Sequence, residues 1–160
     1  FFHAYHANPD AQESRGLGDV YKRQVINPLN SAGAIGYVSE AFNPLAILYE
    51  CQQLDIPILA IRAVQAGALT SSMDRSPHES GFDKSDFDDF NKAEPFRDLA
   101  IEWGESPASL AHRYALSIKG VASVILGVKN RTELKECVEA EAKDLLSDSE
   151  IQQIENCLKG

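Results

Sequence analysis

The chain has few cysteines, few aromatic residues and no long apolar run. Its 160 residues include one tryptophan and three cysteines, Cys51, Cys137 and Cys157. Because these cysteines are odd in number and widely spaced, the sequence predicts neither a disulfide framework nor a zinc site, and a reducing cytoplasm is the expected location. No run approaches the roughly 20 apolar residues that cross a bilayer. We therefore expect a globular protein without a membrane-spanning helix.

Basic residues are scarce. Fifteen Lys and Arg face 24 Asp and Glu, which gives a net charge of −9. Affinity for a phosphate backbone requires clustered cations, so nucleic acid is an unfavourable partner. His78 and His112 have no metal ligands or nucleophile at an interpretable spacing, and we expect His112 on a helix surface and His78 in a flexible loop. No metal site is predicted.

Residues 14–24 have an unusual sequence, SRGLGDVYKRQ. All eleven match the in-frame translation of a common transposase sequencing adapter, and a match of that length is very improbable by chance. Residues 1–24 are therefore interpreted as an artefactual or chimeric segment that is disordered. We expect the natural chain to run from Val25.

Helical and strand-like patterns alternate after Val25. Phe42 to Leu54 has apolar residues at helical spacing, and Ile56 to Ile61 is a short apolar run typical of a strand buried on both faces of a parallel sheet. Ala66 to Ala93 is polar and too long for a simple connector, so it predicts a functional loop that contributes to a pocket or clasps a cofactor.

Two helices, a strand and two further helices are predicted after this loop. The first helix ends at Gly104, and Ser106 with Pro107 forms the N-cap and first turn of the second. Ser147 and Glu150 form a capping box before the last helix. Strands that alternate with helices indicate a parallel sheet with right-handed crossovers.

The segment from Val121 to Ala140 predicts an anion site. An apolar run stops at Gly127, and a helix then opens with Asn130 as its N-cap and Glu133 as the capping-box partner. First-turn backbone N–H groups lack intrahelical partners and carry partial positive charge, which favours a phosphate. An ordinary strand-to-helix connection fits the same pattern.

Four segments, in this order, resemble the aldo/keto reductase family. They are VINPLNSAG, LAIRAVQAGALTSS, SPASLAHRYALSIKGVASVILGVKNRTELKECVEA and LSDSEIQQI. The resemblance implies an α/β fold, namely a partial (β/α)8 TIM barrel with roughly strands six to eight, their helices and a C-terminal helix, over residues 25–160. It also implies an NAD(P)H-dependent parent enzyme that reduces aldehydes or ketones, or oxidises the matching alcohols.

The resemblance also implies a cofactor site after the last two strands, where barrels of this class usually bind phosphate. Arg62, Val64 and Ala66 match loop positions that approach the pyrophosphate. The matched positions nearer the adenosine are Gly127, which lets the chain pass close to the cofactor, Lys129 near the adenosine phosphate, Glu136 on the adenine, and Glu133 and Cys137.

Several of these residues depart from the family pattern. Glu133 stands where the family usually has Arg or Gln, Cys137 replaces a typical Asn, and Ile61 stands where many members stack a Tyr on the nicotinamide. A carboxylate at Glu133 repels a 2′-phosphate but accepts hydrogen bonds from a free ribose hydroxyl, whereas Lys129 attracts the phosphate. NAD and NADP both stay open, with NADP slightly favoured by family habit.

Two of the assignments have structural alternatives. Glu133 is equally well explained as the capping partner of Asn130, and Arg62 as a charge at a strand end that reaches solvent. The family's catalytic residues come from early strands of the barrel, and no matching motif occurs here, so no catalytic residue is assigned and the chain alone is expected to be inactive. A non-catalytic binding module and another phosphate-binding TIM-barrel enzyme are the alternative functions.

Overall fold

The computed structural model describes residues 21–29, 44–74, 76 and 84–159. Predictions that concern residues 1–20, His78 and residues 30–33 of the VINPLNSAG segment lie outside these residues. The described strands are β1 (Lys22–Val25), β2 (Ile58–Ile61) and β3 (Val121–Val124). The described helices are α1 (Pro44–Gln53), α2 (Lys84–Lys92), α3 (Glu94–Glu102), α4 (Pro107–Ser117), α5 (Arg131–Glu141) and α6 (Asp148–Cys157).

The three strands form one parallel sheet with β2 in the centre. Its order is β1-β2-β3, with Lys22 opposite Ile58 and Val25 opposite Ile61. Ile58 and Ala60 are fully buried and pack with Leu48 of α1. The opposite face of β2 is only partly covered, because Leu59 and Ile61 keep part of their surface exposed. The predicted parallel order is therefore confirmed.

Strand β1 begins three residues before the expected start of the natural chain. Lys22, Arg23 and Gln24 lie in this strand, so the prediction of disorder is wrong for them. Parallel pairing uses backbone N–H and C=O groups whatever the side chains are, and the four residues of β2 offer a complete edge. Gln24 is nevertheless a poor fit, since its buried Nε2 has no hydrogen-bond partner among the described residues.

Helix α2 lies inside the segment that was predicted to be a loop. Its sequence, KSDFDDFNK, is mostly polar, which hid the helical period in the sequence. Polar contacts join the helix to the segment after β2, because Asp86 and Asp89 are buried and accept hydrogen bonds from Arg62 and Gln65.

Helices α3, α4 and α6 pack around a second apolar cluster. Phe96, Leu110 and Ile154 are fully buried there, one from each helix. Two predicted helix ends are confirmed: Ser106 caps α4, and Ser147 with Glu150 forms the capping box of α6. Among the described helices, none has the length and hydropathy to cross a membrane.

Strand β3 forms the outer edge of the described sheet. Val121 and Val124 are partly exposed, and Ile125, Leu126 and Val128 beyond the strand are exposed. An exposed strand edge that carries apolar side chains is a surface for pairing with another strand. In a closed barrel such an edge is covered by the neighbouring strand.

A buried carboxylate joins the helical layer. Glu105, only 6% exposed at its side chain, accepts hydrogen bonds from Arg113 (2.6 Å), Lys143 (2.8 Å) and Ser109 (2.6 Å). Burial would by itself raise the pKa of Glu105, but these donors outweigh it and the pKa lies below its ordinary value of 4.5. Glu105 therefore joins α4 to Lys143, two residues beyond the end of α5.

We expect Glu105→Gln to lower the free energy of unfolding by about 1–3 kcal/mol at pH 7, because Arg113 and Lys143 lose their charged acceptor. A carboxylate whose pKa is depressed by folding stabilises the protein above its unfolded pKa, and this stabilisation is lost as the pH falls through the folded pKa. Urea denaturation from pH 7 to pH 3 should therefore show the difference between the two proteins shrinking below about pH 4.5. A difference that stays constant over this range would contradict the role assigned to Glu105.

Candidate functional site

A cavity of about 400 Å³ lies at the carboxyl ends of β2 and β3. One wall is the segment after β2, and the other is the loop after β3 together with α4 and α5. Because β2 and β3 are parallel, their following loops come to the same edge of the sheet, which is where open α/β sheets and barrels bind ligands. The lining residues are Val64, Ala66, Gly67, Thr70, Ser71, Ser72, Asp74, Ala108, His112, Gly127, Val128, Lys129, Glu133, Glu136 and Cys137.

Seven of the eight residues assigned from the family resemblance line this cavity. They come from two segments more than 50 residues apart: Val64 and Ala66 after β2, and Gly127, Lys129, Glu133, Glu136 and Cys137 after β3. The fold therefore places these two separated segments around one cavity. That these seven residues bind a cofactor stays a prediction.

Arg62 is the exception, because its side chain is directed toward α2 and away from the cavity. Its Nη2 donates to Asp86 Oδ1 at 2.7 Å, and its Nε donates to Gln65 Oε1 at 3.1 Å. The Arg62 side chain is 19% exposed, so it is neither the solvent-reaching charge of the alternative interpretation nor a residue that lines the cavity. It holds α2 against the end of β2.

Gln65 is the centre of a buried polar network beneath the cavity wall. It accepts a hydrogen bond from Asn27 at 3.0 Å and donates one to Asp89 at 2.8 Å. Asn27 also donates to the carbonyl of Arg62 at 3.0 Å. These bonds connect the ends of β1 and β2 to α2, so the wall of the cavity is positioned by groups that do not line it.

The backbone after β2 turns sharply to form that wall. Arg62, Gln65, Ala66 and Gly67 all have positive φ values, of 57°, 45°, 52° and 98°. Positive φ is costly for residues other than glycine, by roughly 1–2 kcal/mol each. The network around Gln65 keeps the chain in this conformation.

The N-terminus of α5 forms the opposite wall, and Asn130 is its N-cap as predicted. The Asn130 side chain accepts from the Glu133 backbone N–H at 3.0 Å. The return bond differs from the predicted capping box, because Glu133 Oε2 accepts from the backbone N–H of Lys129 at 2.8 Å, while Oε1 accepts from Asn130 Nδ2 at 2.8 Å. Glu133 therefore bonds to both residues that directly precede α5.

Negative charge predominates around the cavity. Three carboxylates, from Asp74, Glu133 and Glu136, face one ammonium group, that of Lys129, among the described lining residues. Lys129 forms an ion pair with Asp74. Glu136 accepts a hydrogen bond from Ser106, the N-cap of α4.

His112 and Cys137 form a buried pair at the base of the cavity. The Sγ of Cys137 lies 3.5 Å from His112 Nε2, and His112 Nδ1 lies 2.7 Å from the carbonyl of Ala108. Nδ1–H donates to that carbonyl, so Nε2 accepts from the thiol. Burial raises the pKa of Cys137, and the charges of Glu136 and Glu133 raise it further. The thiol is therefore the stable form.

The prediction that His112 lies on a helix surface is wrong. His112 is buried at the α4–α5 contact. A sequence signal was present, because His112 shares a helical face with Ala108 and Ala115, both small and apolar, at spacings of four and three residues. The polar residues Thr70, Ser71, Ser72 and Asp74 were also not assigned individually, although the loop that carries them was expected to contribute to a pocket.

Tyr114 is the most deeply buried described tyrosine, and it has a structural role. Its hydroxyl donates to Glu155 Oε1 at 3.0 Å, which joins α4 to α6. Burial, followed by the charge of Glu155, raises the pKa of Tyr114 well above its ordinary value. A hydroxyl that holds its proton so firmly and lies outside the cavity is not a candidate general acid.

Comparison with known proteins identifies the family. The model of the aldo/keto reductase family matches residues 34–159. Among solved structures, the chain is similar to a thermostable aldo-keto reductase in complex with the inhibitor epalrestat, at 13% sequence identity and a TM-score of 0.54. The match covers 84% of this chain but 38% of that one, so the chain spans well under half of its length. A search of curated proteins found no match.

The likeness in structure shows that the fold is part of a (β/α)8 barrel. Consecutive barrel strands are parallel neighbours joined by helices, and β1, β2 and β3 are arranged in this way. The prediction of a partial barrel with three strands, their helices and a C-terminal helix is confirmed.

The two glycines of the cavity differ in what they do for the fold. Gly67 has a φ of 98° and a Cβ there would lie 3.3 Å from Met73 Sδ, whereas a Cβ on Gly127 would meet nothing within 4 Å. We expect Gly67→Ala to lower the free energy of unfolding by about 1–2 kcal/mol, and the matched Gly127→Ala to change it by less than about 0.5 kcal/mol. Urea denaturation measures both. Equal effects of the two substitutions would contradict this distinction.

Proposed function

Since the chain belongs to the aldo/keto reductase family, we propose that its parent protein is an NAD(P)H-dependent oxidoreductase that reduces aldehydes or ketones, or oxidises the matching alcohols. This chain contributes part of the cofactor site. The observation that carries the proposal is that seven residues whose positions match the family's cofactor-binding segments line one and the same cavity.

The residues around the cavity fit the adenosine half of such a cofactor. Ligand pockets generally measure about 300–1,000 Å³, and a volume of about 400 Å³ suits half of a dinucleotide better than the whole molecule. Gly127 leaves open space where any other residue has its Cβ, which permits close approach of a ligand to the backbone. Ser71 and Ser72 add exposed hydroxyl groups to the wall.

Three of the lining residues have specific roles in this proposal. Gly127 gives the ligand access to the backbone of the loop after β3. Glu136, fixed by Ser106, accepts a hydrogen bond from the exocyclic amine of adenine. Cys137, held by His112, packs beside the base as a small apolar group. When bound, the nicotinamide cofactor supplies or accepts the hydride of the reaction.

Arg62 takes an indirect role, since its guanidinium bonds to Asp86 and Gln65. It positions the segment that carries Val64 and Ala66, and it does not touch the ligand. This differs from the direct pyrophosphate contact that the family resemblance implies for its position.

Binding of the reduced cofactor tests the proposal. Titration of the chain with NADH and with NADPH, followed by nucleotide fluorescence, should give saturable binding that competes with ADP. Gly127→Ala should weaken this binding about tenfold or more, because an extra methyl group fills space that the ligand needs. Val138→Ile is the control, since it adds one carbon to an exposed residue of α5 that does not line the cavity. Absence of saturable binding of both nucleotides would refute the proposal.

We further propose that the chain binds cofactor without turning over a carbonyl substrate. Tyr114 is committed to Glu155, and the other described tyrosines, Tyr21 and Tyr49, are exposed and do not line the cavity. Incubation with NADH or NADPH and a reactive aldehyde should therefore leave the absorbance at 340 nm unchanged beyond the rate without protein. Aldehyde-dependent loss of that absorbance, at a rate proportional to chain concentration, would contradict this expectation.

A further inference from the structure

The charged residues that line the cavity affect which nucleotide it binds. We propose that the cavity selects a nucleotide whose adenosine ribose has a free 2′-hydroxyl, so that NAD(H) is preferred over NADP(H), with Glu133 as the residue that decides it. The inference rests on the proposed function and concerns the same site.

The first support is the engagement of Glu133. Its two carboxylate oxygens accept from the backbone N–H of Lys129 and from Asn130 Nδ2, each at 2.8 Å. Both donors lie directly before the first turn of α5, at the end of the loop through which a phosphate monoester would reach the start of this helix. The side chain of Glu133 therefore takes the place of an anion, and a second anion must either displace it or lie beside it.

The second support is the state of Lys129, the one ammonium among the described lining residues. Its Nζ is paired with Asp74, so its charge is compensated within the cavity wall. Both side chains are more than half exposed, 63% for Lys129 and 55% for Asp74. An exposed pair of this kind is weak, but the Asp74 carboxylate lies beside the ammonium group of Lys129, and its negative charge offsets part of the attraction of that group for a phosphate.

The third support is the balance of charge. Asp74, Glu133 and Glu136 bring three negative charges against the one positive charge of Lys129. The effect of this surplus reaches the base of the cavity, where Glu136 and Glu133 help to raise the pKa of Cys137. A 2′-phosphate adds about two negative charges at pH 7, and like charges within a few ångströms of each other at a partly buried site repel strongly. A ribose hydroxyl adds none and donates a hydrogen bond.

The test compares pairs of nucleotides that differ only in the 2′-phosphate. Titrating the full chain, we expect NADH to bind at least about tenfold more tightly than NADPH, and 5′-ADP at least about tenfold more tightly than adenosine 2′,5′-bisphosphate. Higher salt should narrow both differences, because the discrimination is electrostatic.

Two substitutions locate the discrimination. Glu133→Gln removes one negative charge and keeps an acceptor for Lys129 N–H, so it should raise the affinity for NADPH about tenfold. It should not raise the affinity for NADH, because the ribose hydroxyl then meets a neutral acceptor in place of a carboxylate. Asp74→Asn removes the carboxylate that pairs with Lys129, and it should also raise the affinity for NADPH. Asp74 lies on the wall opposite Glu133, so the two substitutions act from different segments. Glu139→Gln is the matched control: it changes the net charge equally on the same helix, but Glu139 pairs with Lys135 and does not line the cavity.

The outcomes separate this inference from the proposed function. NADPH binding as tightly as NADH, or Glu133→Gln and Asp74→Asn shifting the preference no more than Glu139→Gln does, would overturn the role of Glu133 and leave the cofactor site in place. If neither NADH nor NADPH binds, the proposed function fails and the inference fails with it. Circular dichroism of each variant verifies that it is folded, and the comparison of nucleotides on the unmodified chain decides the preference independently of any substitution.

Discussion

The parallel pairing of β2 with a strand on each side is the constraint on which the rest of the structure depends. Ile58 to Ile61 exchange backbone hydrogen bonds with β1 and with β3, so all three carboxyl ends lie at one edge of the sheet. The segments after β2 and β3 must therefore begin close together, although 60 residues separate the two strands. The cavity follows from this geometry, because α4 and α5 close the space between the two segments on the side of β3.

Polar contacts help to determine how the segments around the cavity are placed. Gln65 connects Asn27 to Asp89, and Arg62 connects the end of β2 to Asp86. Glu105 performs a similar function on the other side, where it joins Arg113 of α4 to Lys143, two residues beyond the end of α5. Buried groups of this kind are favourable when all partners are present and costly when one is missing. The cavity wall is therefore specified by a small number of hydrogen bonds at some distance from the ligand space.

Part of the acidic character of the chain is concentrated at the cavity. The carboxylates that line the cavity are not simply a solvated face: Glu133 binds the donors at the start of α5, Asp74 compensates Lys129, and Glu136 is fixed by Ser106. The chain thus provides its own anions at a position where related barrels bind a phosphate. Electrostatic selection of a nucleotide without the 2′-phosphate is the consequence that we propose.

Much of the site was predictable, and the parts that were not share one cause. The segments after β2 and β3 were identified from their family pattern, and the caps Asn130, Ser106 and Ser147 from local rules that involve residues three apart. Helix α2, the burial of His112 and the direction of Arg62 were missed, since each depends on partners far away in the chain: Asp86 for Arg62, and Cys137 for His112.

The sequence by itself determined the order of the described strands and helices apart from α2, the helix caps and the family to which the chain belongs, because these depend on neighbouring residues and on motif order. Only the tertiary structure decided that seven separated residues share one cavity, that Arg62 bonds to α2 instead of lining it, and that Glu133 accepts hydrogen bonds from Lys129 N–H and Asn130 Nδ2. The physical reason is that side-chain direction and charge compensation depend on distances between segments, and those distances exist only after the sheet has paired.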